Sequence, residues 1–160
     1  IGLVYFEQPK ATFEYHGDPE KTKSSRHPQH DNWMTLGDIG YLDEDQFLYL
    51  TDRRAFTIIS GGVNIYPAEI ESAIIMHPDV VDIAVFGLPD PEFGEYVHAV
   101  VQLEPGVAPD EETVERLRAF ARESLAGFKV PRVIDFRDEL PRLPTGKLYK
   151  QQIRDEYLGR

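Results

Sequence analysis

The 160-residue sequence contains no cysteine, no long apolar run and no excess of positive charge. Without cysteine there is no disulfide, no thiolate nucleophile and no Cys-ligated zinc. The longest apolar stretches, such as residues 83–86, are far shorter than the roughly 20 residues that a transmembrane helix needs. No basic segment followed by an apolar one opens the sequence, so nothing argues for export and we expect a cytoplasmic location.

Acidic side chains outnumber basic ones by 28 to 17, which gives a formal net charge of −11. This balance argues against nucleic acid as a partner, because a duplex-binding surface needs a basic face. The one basic stretch is residues 128–160, with eight basic and five acidic side chains. A local positive field could attract a phosphorylated small molecule, but a solvated helix face with mixed charge explains the pattern equally well.

Apolar spacing and turn residues divide the sequence into two parts. After residue 55, short predicted strands alternate with helices that follow Pro67 and Asp110 and occupy the end of the chain, which predicts one small α+β domain. Residues 1–54 contain a predicted hairpin but too few apolar elements for a core of their own. We therefore expect residues 1–54 to be the edge of a larger domain and residues 55–160 to be a separate small domain.

Gly146 and Lys147 follow a proline-containing loop and precede the last predicted helix. The P-loop pattern G-x-x-x-x-G-K-[ST] does not fit, because its first glycine would be Pro141 and its hydroxyl residue would be Leu148. A lysine at the positive end of a helix can nevertheless neutralise a phosphate, which makes Lys147 a candidate functional residue. From the local sequence alone, a surface lysine near a helix start is the simpler interpretation.

Two other segments have both a functional and a structural interpretation. Ser60, Gly61 and Gly62 separate two apolar runs, where paired glycines either allow close approach to a ligand or form a plain hairpin turn. Asp38 and Arg53 lie at the two ends of the predicted hairpin and can meet side by side. A carboxylate and an arginine suit vicinal ribose hydroxyls, and they equally suit a structural ion pair.

The remaining polar signals predict no site. Glu69 and Glu71 differ by two positions on a predicted helix, so they cannot face one site together and we expect them to be solvated. His27 and His30 lie on a proline-containing loop without acidic residues at ligand spacing, and we interpret them as surface residues. No metal ligands are therefore assigned in this sequence.

The order of the motifs is more specific than any one of them. The sequences T-L-G-D at 35–38, Y-L-T-D-R at 49–53, I-S-G-G-V-N-I-Y-P-A-E-I-E at 59–71 and P-T-G-K at 144–147 together resemble the adenylate-forming (ANL) superfamily. Its members include acyl-CoA synthetases, peptide-synthetase adenylation domains and firefly luciferase. The sequences of these motifs are most similar to those of bacterial fatty-acid–CoA ligases, and the resemblance covers nearly the whole chain.

This resemblance implies an enzyme with two half-reactions. A carboxylate, in particular that of a fatty acid, attacks the α-phosphate of ATP with Mg²⁺, and the thiol of coenzyme A then displaces AMP. The family's phosphate loop, acyl pocket and adenine site would all precede Ile1, as would the Mg²⁺ site. The resemblance thus implies that this chain is the C-terminal part of the ligase and is inactive alone.

The resemblance also assigns roles to individual residues. Asp38 and Arg53 would bind the ATP ribose, and Lys147 would bridge the carboxylate and the α-phosphate during adenylation. Residues 60–62 would line the tunnel for the pantetheine arm of coenzyme A, and Lys129 would hold its phosphates. The hinge would fall at Ala55, where the family usually has Asp or Lys.

Two other functions stay open at this point. One is an adenylation domain of a peptide-synthetase-like system, and the other is a noncatalytic domain that only binds nucleotide or a carrier partner. The presence of Lys147 in its loop favours a catalytic parent protein. The lack of a carrier domain after Arg160 favours free coenzyme A as the thiol acceptor.

Overall fold

The computed structural model describes residues 1–10 and 13–159, and the chain forms two compact units, Ile1–Ala55 and Phe56–Arg160. This division lies one residue after the boundary expected from the sequence. The assignment of the first unit to the edge of a larger domain stays a prediction.

The first unit consists of short strands and one helix. Its elements are β1 Gly2–Leu3, β2 Phe6–Glu7, α1 Pro19–Ser24, β3 Trp33–Met34, β4 Asp38–Leu42 and β5 Leu48–Arg53. The strands form a three-stranded sheet in the order β1-β4-β5 and a separate β2-β3 pair. Strands β4 and β5 confirm the predicted hairpin. Asp43 closes its turn, because Oδ1 accepts hydrogen bonds from the N–H groups of Asp45 and Phe47 at 3.0 and 2.8 Å.

Few apolar side chains of this unit are buried. Among its described residues, Met34 and Ile39 are the only large hydrophobic ones that are buried. The hairpin instead exposes a row of large apolar side chains: Tyr41, Leu42, Phe47, Leu48, Tyr49 and Leu50. The prediction that residues 1–54 have too few apolar elements for a core of their own is confirmed.

The second unit is a five-stranded sheet with helices on both faces. Its elements are β6 Ile58–Ser60, β7 Val63–Ile65, α2 Pro67–Ile74, β8 Val80–Asp90, β9 Gly94–Leu103, α3 Glu111–Ser124, β10 Val133–Phe136 and α4 Lys150–Tyr157. Strand β9 pairs antiparallel with β8 along one edge. Along its other edge it pairs in parallel with β10 and, through Gly94 alone, with β6.

Two apolar cores form because successive residues of a strand point to opposite faces of the sheet. On one face, Ile83 and Val85 of β8 pack with the buried residues of α2 and α3. On the other face, Ala84 and Phe86 pack with the C-terminal segment through Leu140 and Ile153: α4 lies on this side. This architecture confirms the predicted small α+β domain.

The helices begin largely where the sequence indicates. Asp110 caps α3, since its Oδ1 accepts a hydrogen bond from Thr113 N–H at 2.9 Å, and Pro67 is the first residue of α2. None of the helices among residues 1–10 and 13–159 has the length and apolar content that a membrane crossing requires.

Candidate functional site

Asp38 and Arg53 form an ion pair at the open end of the β4-β5 hairpin. The two residues are directly opposite in the strand register, and Arg53 Nε lies 2.8 Å from Asp38 Oδ1. The Asp38 side chain is 17% exposed and the Arg53 side chain 57%. A cleft of about 560 Å³ borders Arg53, and Gly37 and Ala55 contribute to its lining. The pairing predicted from the sequence is thus present beside a space that can admit a ligand.

Ala55, the expected hinge residue, lies in the 3-10 turn Arg54–Phe56 directly after this pair. Arg54 N–H donates to Gly37 O at 2.8 Å and closes the end of the hairpin immediately before it. The backbone is therefore fixed up to the residue at which the resemblance places the hinge.

Ser60, Gly61 and Gly62 form the tip of a tight hairpin between β6 and β7. Gly61 and Gly62 have φ values of +56° and +81°, which a two-residue hairpin turn of the primed type requires and which glycine adopts without strain. Gly61 N–H donates to Phe93 O at 2.8 Å, and a Cβ at Gly61 would lie 3.3 Å from the Phe93 ring. The tip is thus held against the β8-β9 turn, whereas a Cβ at Gly62 would meet no atom within 4 Å.

The β8-β9 turn that supports this tip is itself fixed by Asp90. Hydrogen bonds from the backbone N–H groups of Phe93 and Glu92 hold the pKa of Asp90 below its usual value, and Arg132 acts in the same direction. The Asp90 carboxylate thus supports the turn whose Phe93 carbonyl accepts the hydrogen bond from Gly61.

Lys129 already forms an ion pair within the second unit. Its Nζ lies 2.7 Å from both carboxylate oxygens of Glu69. Glu69 is exposed, as expected, although it forms this ion pair, whereas the expectation that Glu71 is solvated is wrong because its side chain is only 21% exposed. Glu71 contacts Lys150 Nζ at 2.6 Å and accepts a hydrogen bond from Val85 N–H at 2.7 Å. These partners are distant in sequence, so the local helical spacing gave no sign of them.

Lys147 lies in a turn and not at a helix terminus. Helix α4 begins at Lys150, so the prediction that Lys147 occupies its positive end is wrong. Gly146 N–H donates to Leu143 O at 2.8 Å, and Leu143 N–H donates to Lys147 O at 2.8 Å. Pro144 suits the second position of this turn, and Gly146 has a φ of +82°. A proline and a left-handed glycine delay the helix and place Lys147 on the returning arm of a short loop.

Lys147 differs in its ion pairing from the other described basic residues after residue 127. Six of the seven described basic residues after residue 127 form ion pairs: Lys129–Glu69, Arg132–Asp90, Arg137–Glu156, Arg142–Asp82, Lys150–Glu71 and Arg154–Glu95. Lys147 is exposed and is the one basic residue of this described stretch without a carboxylate partner. The positive field suggested by the sequence is thus largely neutralised, and the remaining charge is concentrated at Lys147.

Glu95 supports the tip of the β6-β7 hairpin, a role that the sequence did not predict. It accepts hydrogen bonds from Ile59 N–H at 2.9 Å and from Arg154 Nη2 at 3.0 Å, so it connects β6 with α4. A side chain at Gly87 would collide with its carboxylate, because a Cβ there would lie 2.8 Å from Glu95 Cδ. No short-range pattern reveals this contact, since the residues are 36 and 59 positions apart.

His27 and His30 lie close together among aromatic side chains, with ring centroids 4.8 Å apart. His30 stacks on Trp33 with ring centroids 4.3 Å apart, and His27 contacts Tyr5 edge-on at 4.8 Å. Among the residues that the structure describes, no group of three or more His, Asp or Glu could hold a metal ion. These residues therefore do not fit the Mg²⁺ that the resemblance implies, and we assign them no role toward it.

The fold and its two glycine-containing loops define a small α+β domain of the kind that completes adenylate-forming enzymes. Residues 69–147 match the family described as AMP-binding enzyme C-terminal domain. The chain belongs to this family, within the adenylate-forming superfamily.

Three known proteins with similar sequences are acid–thiol ligases. The chain is 44% identical to the 2-succinylbenzoate–CoA ligase of Geobacillus kaustophilus over 96% of its length. It is 40% identical both to a fatty acid–[acyl-carrier-protein] ligase of Streptomyces coeruleorubidus and to a long-chain-fatty-acid–CoA ligase of Bacillus subtilis, over 99% and 97% of its length. It spans 30%, 30% and 27% of these three relatives.

A solved structure shares this fold. The o-succinylbenzoate CoA synthetase of Bacillus subtilis, in complex with its acyl-adenylate intermediate, superposes with a TM-score of 0.79 at 36% identity. The match covers 96% of this chain and 30% of the other.

Proposed function

We propose that the full-length protein containing this chain is an AMP-forming acid–thiol ligase that activates a fatty acid and transfers its acyl group to coenzyme A. The observation that carries this proposal is Lys147, an exposed and unpaired ammonium on a hydrogen-bonded turn in a domain whose relatives are acid–thiol ligases. The identity of the acid rests on two of the three relatives, whose names specify fatty acids. A cytoplasmic location is part of the same proposal.

In the first half-reaction, a carboxylate oxygen attacks the α-phosphorus of ATP and pyrophosphate leaves. Both reactants are anions, so a cation between them lowers the barrier as charge accumulates on the phosphoryl oxygens. Lys147 supplies this cation without first breaking an ion pair. Asp38 accepts a hydrogen bond from a ribose hydroxyl, and Arg53 donates to a ribose oxygen.

In the second half-reaction, the thiol sulfur of coenzyme A attacks the carbonyl carbon, the bond to the AMP oxygen breaks and the thiol proton leaves. Ser60, Gly61 and Gly62 line the path of the pantetheine arm, since the two glycines present backbone without side chains. Lys129 contacts a coenzyme A phosphate only after releasing Glu69, so its contribution is smaller. Ala55 is the pivot between the half-reactions; a small residue absorbs a backbone rotation readily.

A carrier protein is the second candidate acceptor, because the Streptomyces relative is named for an acyl-carrier-protein. Coenzyme A and a carrier protein present the same phosphopantetheine thiol, so the glycine tip suits both. They differ in the adenosine phosphates, which coenzyme A alone carries.

The experiment is a two-stage assay of the full-length protein. The first stage measures pyrophosphate release with ATP and a panel containing fatty acids of several chain lengths, 2-succinylbenzoate and amino acids. The second stage supplies coenzyme A or a phosphopantetheine-bearing carrier protein and measures the thioester. We expect release with fatty acids and a coenzyme A thioester. Activation of amino acids would indicate a peptide-synthetase-like protein. ATP binding without pyrophosphate release would indicate a noncatalytic domain.

A further inference from the structure

Arg142 joins the Lys147 loop to the sheet with one guanidinium group. Its Nη1 donates to Gly146 O at 2.7 Å, and its Nη2 donates to Asp82 Oδ2. Gly146 O belongs to the peptide group that links Gly146 to Lys147. The arginine therefore holds the peptide plane directly before the lysine.

Asp82 is aimed at the loop by a β-bulge in β8. The register with β9 shifts between Val80 and Asp82, so Val80 and Ile83 both face the core against α2 and α3. Asp82 is thereby turned to the opposite face, which the C-terminal segment covers. Its side chain is 15% exposed, and its Oδ1 accepts a hydrogen bond from Ile83 N–H at 2.9 Å. The carboxylate is thus an anchor held by strand β8.

The rest of the loop is held by local backbone hydrogen bonds and by Leu148, which packs against the core that contains Phe86 and Ile153. Leu148 pairs with Arg142 in a single β-bridge, and Tyr149 N–H donates to Pro141 O at 2.8 Å. Within the described part of the chain, Asp82–Arg142 is the one ion pair that connects residues 141–149 to a strand. Gly146 has a φ of +82°. Because glycine adopts many backbone conformations at similar energy, rotation of its backbone would cost little free energy. Without the guanidinium, the peptide plane before Lys147 would have no side-chain restraint.

We propose that Arg142 is a positioning residue that orients the Lys147 ammonium for adenylation, with Asp82 as its anchor. The inference rests on the proposed role of Lys147 in the first half-reaction. Arg142 is suited to this task because its planar fork binds two acceptors in a fixed geometry, which a lysine cannot do.

The test compares Arg142→Ala, Arg142→Lys and Asp82→Asn in the full-length protein, with Arg122→Ala as a matched control. Arg122 is exposed on α3 and forms no ion pair among the described residues. Three quantities are measured for each variant: kcat for pyrophosphate release with the KM for ATP, the rate of thioester formation from supplied acyl-AMP, and the unfolding midpoint.

We expect Arg142→Ala to lower kcat for adenylation by about tenfold to a hundredfold, the loss that a misplacement of about 1 Å causes. The KM for ATP and the thioester rate should stay within about twofold of wild type. Asp82→Asn should show a smaller loss of the same kind, and Arg142→Lys should restore part of the rate. In a Lys147→Ala background, Arg142→Ala should cause no further loss.

Other outcomes would overturn the proposal. Equal losses in both half-reactions together with a lower unfolding midpoint would mean that Arg142 only stabilises the domain. An additive loss in the double variant would mean that it acts independently of Lys147. If Arg142→Ala does not fold, Asp82→Asn and Arg142→Lys give the same comparison. Failure of the proposed role of Lys147 would give a different result, because the rate of pyrophosphate release by Lys147→Ala would then equal that of wild type.

Discussion

Asp38 and Arg53 form an ion pair whose contribution to stability is small. Because the Arg53 side chain is 57% exposed, the pair contributes only about 0–1 kcal/mol to folding. The Asp38 side chain is more buried, at 17% exposed. The stability contribution is small enough that a ligand-binding role can be measured without unfolding the hairpin.

For Asp38→Asn in the full-length protein, we expect the KM for ATP to rise about tenfold or more, because a hydrogen bond to a charged group is worth about 1.5–3 kcal/mol. Asp45→Asn, at the far end of the same hairpin, is the control. Comparison of ATP with its 2′-deoxy and 3′-deoxy analogues checks the cause. If the variant still distinguishes these analogues as wild type does, Asp38 does not bind the ribose.

A substitution at Gly62 tests the effect of side-chain bulk at the tip of the β6-β7 hairpin. A Cβ at this position has open space, so Gly62→Leu places its side chain at the tip of the hairpin and strains only the backbone. We expect the rate of thioester formation from supplied acyl-AMP to fall about tenfold or more. A displacement of the reacting thiol by about 1 Å from its productive position has an effect of this size. ATP–pyrophosphate exchange should stay near wild type.

Gly106→Leu is the matched control for Gly62→Leu. Gly106 also has a positive φ, +94°, and a Cβ there would likewise meet no atom within 4 Å. The same loss in both variants, or an equal loss of both half-reactions, would attribute the effect of Gly62→Leu to folding strain alone.

At the scale of the elements, sequence reasoning succeeded where the determinants are local. Asp110 and the apolar spacing after it predicted α3, Pro67 predicted the start of α2, and turn residues predicted the first hairpin. Capping and turn formation depend on neighbours within about four residues, which a sequence displays directly.

The start of α4 could not be predicted in the same way, because competing signals act there. Tyr149, Ile153 and Tyr157 have helical spacing, yet the helix begins only at Lys150 since Leu148 pairs with Arg142 and Tyr149 N–H donates to Pro141. The ion pairs of Glu69, Glu71 and Glu95 were missed for a related reason. Their partners come from other elements, so only the folded chain brings them together.

His98 in β9 is buried and contacts Tyr157 of α4. The imidazole is 2% exposed and contacts Phe86, Tyr96 and Tyr157 at centroid distances of 5.3, 6.0 and 4.6 Å. Its Nε2 lies 3.2 Å from Asp135 Oδ2 without hydrogen-bond geometry. Burial lowers the pKa of His98 below its usual 6.5, and Asp135 only partly opposes this effect.

A His98→Gln variant tests the consequence of this shift. Because the folded state resists protonation, the stabilisation that His98 provides is complete above pH about 6.5 and is lost as the pH falls toward the lowered pKa. We therefore expect wild type to lose more unfolding free energy than His98→Gln between pH 7.5 and 5.5, measured by urea denaturation. An equal loss in the two proteins would assign the pH dependence to other groups.

At the scale of the whole molecule, the two units differ in how much apolar surface they bury. The second unit has two cores that cover both faces of its sheet, whereas the first leaves most of its hairpin apolar residues exposed. Three or more strands that pack against a helix meet the requirement for independent stability, and the second unit exceeds it.

We expect the fragment 56–160 to fold on its own. Its thermal unfolding, followed by circular dichroism, should be a single cooperative transition with a midpoint within a few degrees of the corresponding transition in the 160-residue chain. Leu117→Ala, which removes a fully buried side chain of α3, should lower the free energy of unfolding of both by about 2–5 kcal/mol. A fragment without a cooperative transition would show that residues 1–55 are part of the same folding unit.

The decisive measurement is pyrophosphate release by Lys147→Ala in the full-length protein, with Lys23→Ala in α1 as the control for a lost exposed lysine. Loss of one preorganised charge at the developing phosphoryl anion should lower the rate by about 10²–10³. Thioester formation from supplied acyl-AMP should stay within about twofold of wild type, because that step develops no charge between carboxylate and α-phosphate. Unchanged pyrophosphate release in Lys147→Ala would contradict the assignment of this lysine and with it the proposed mechanism.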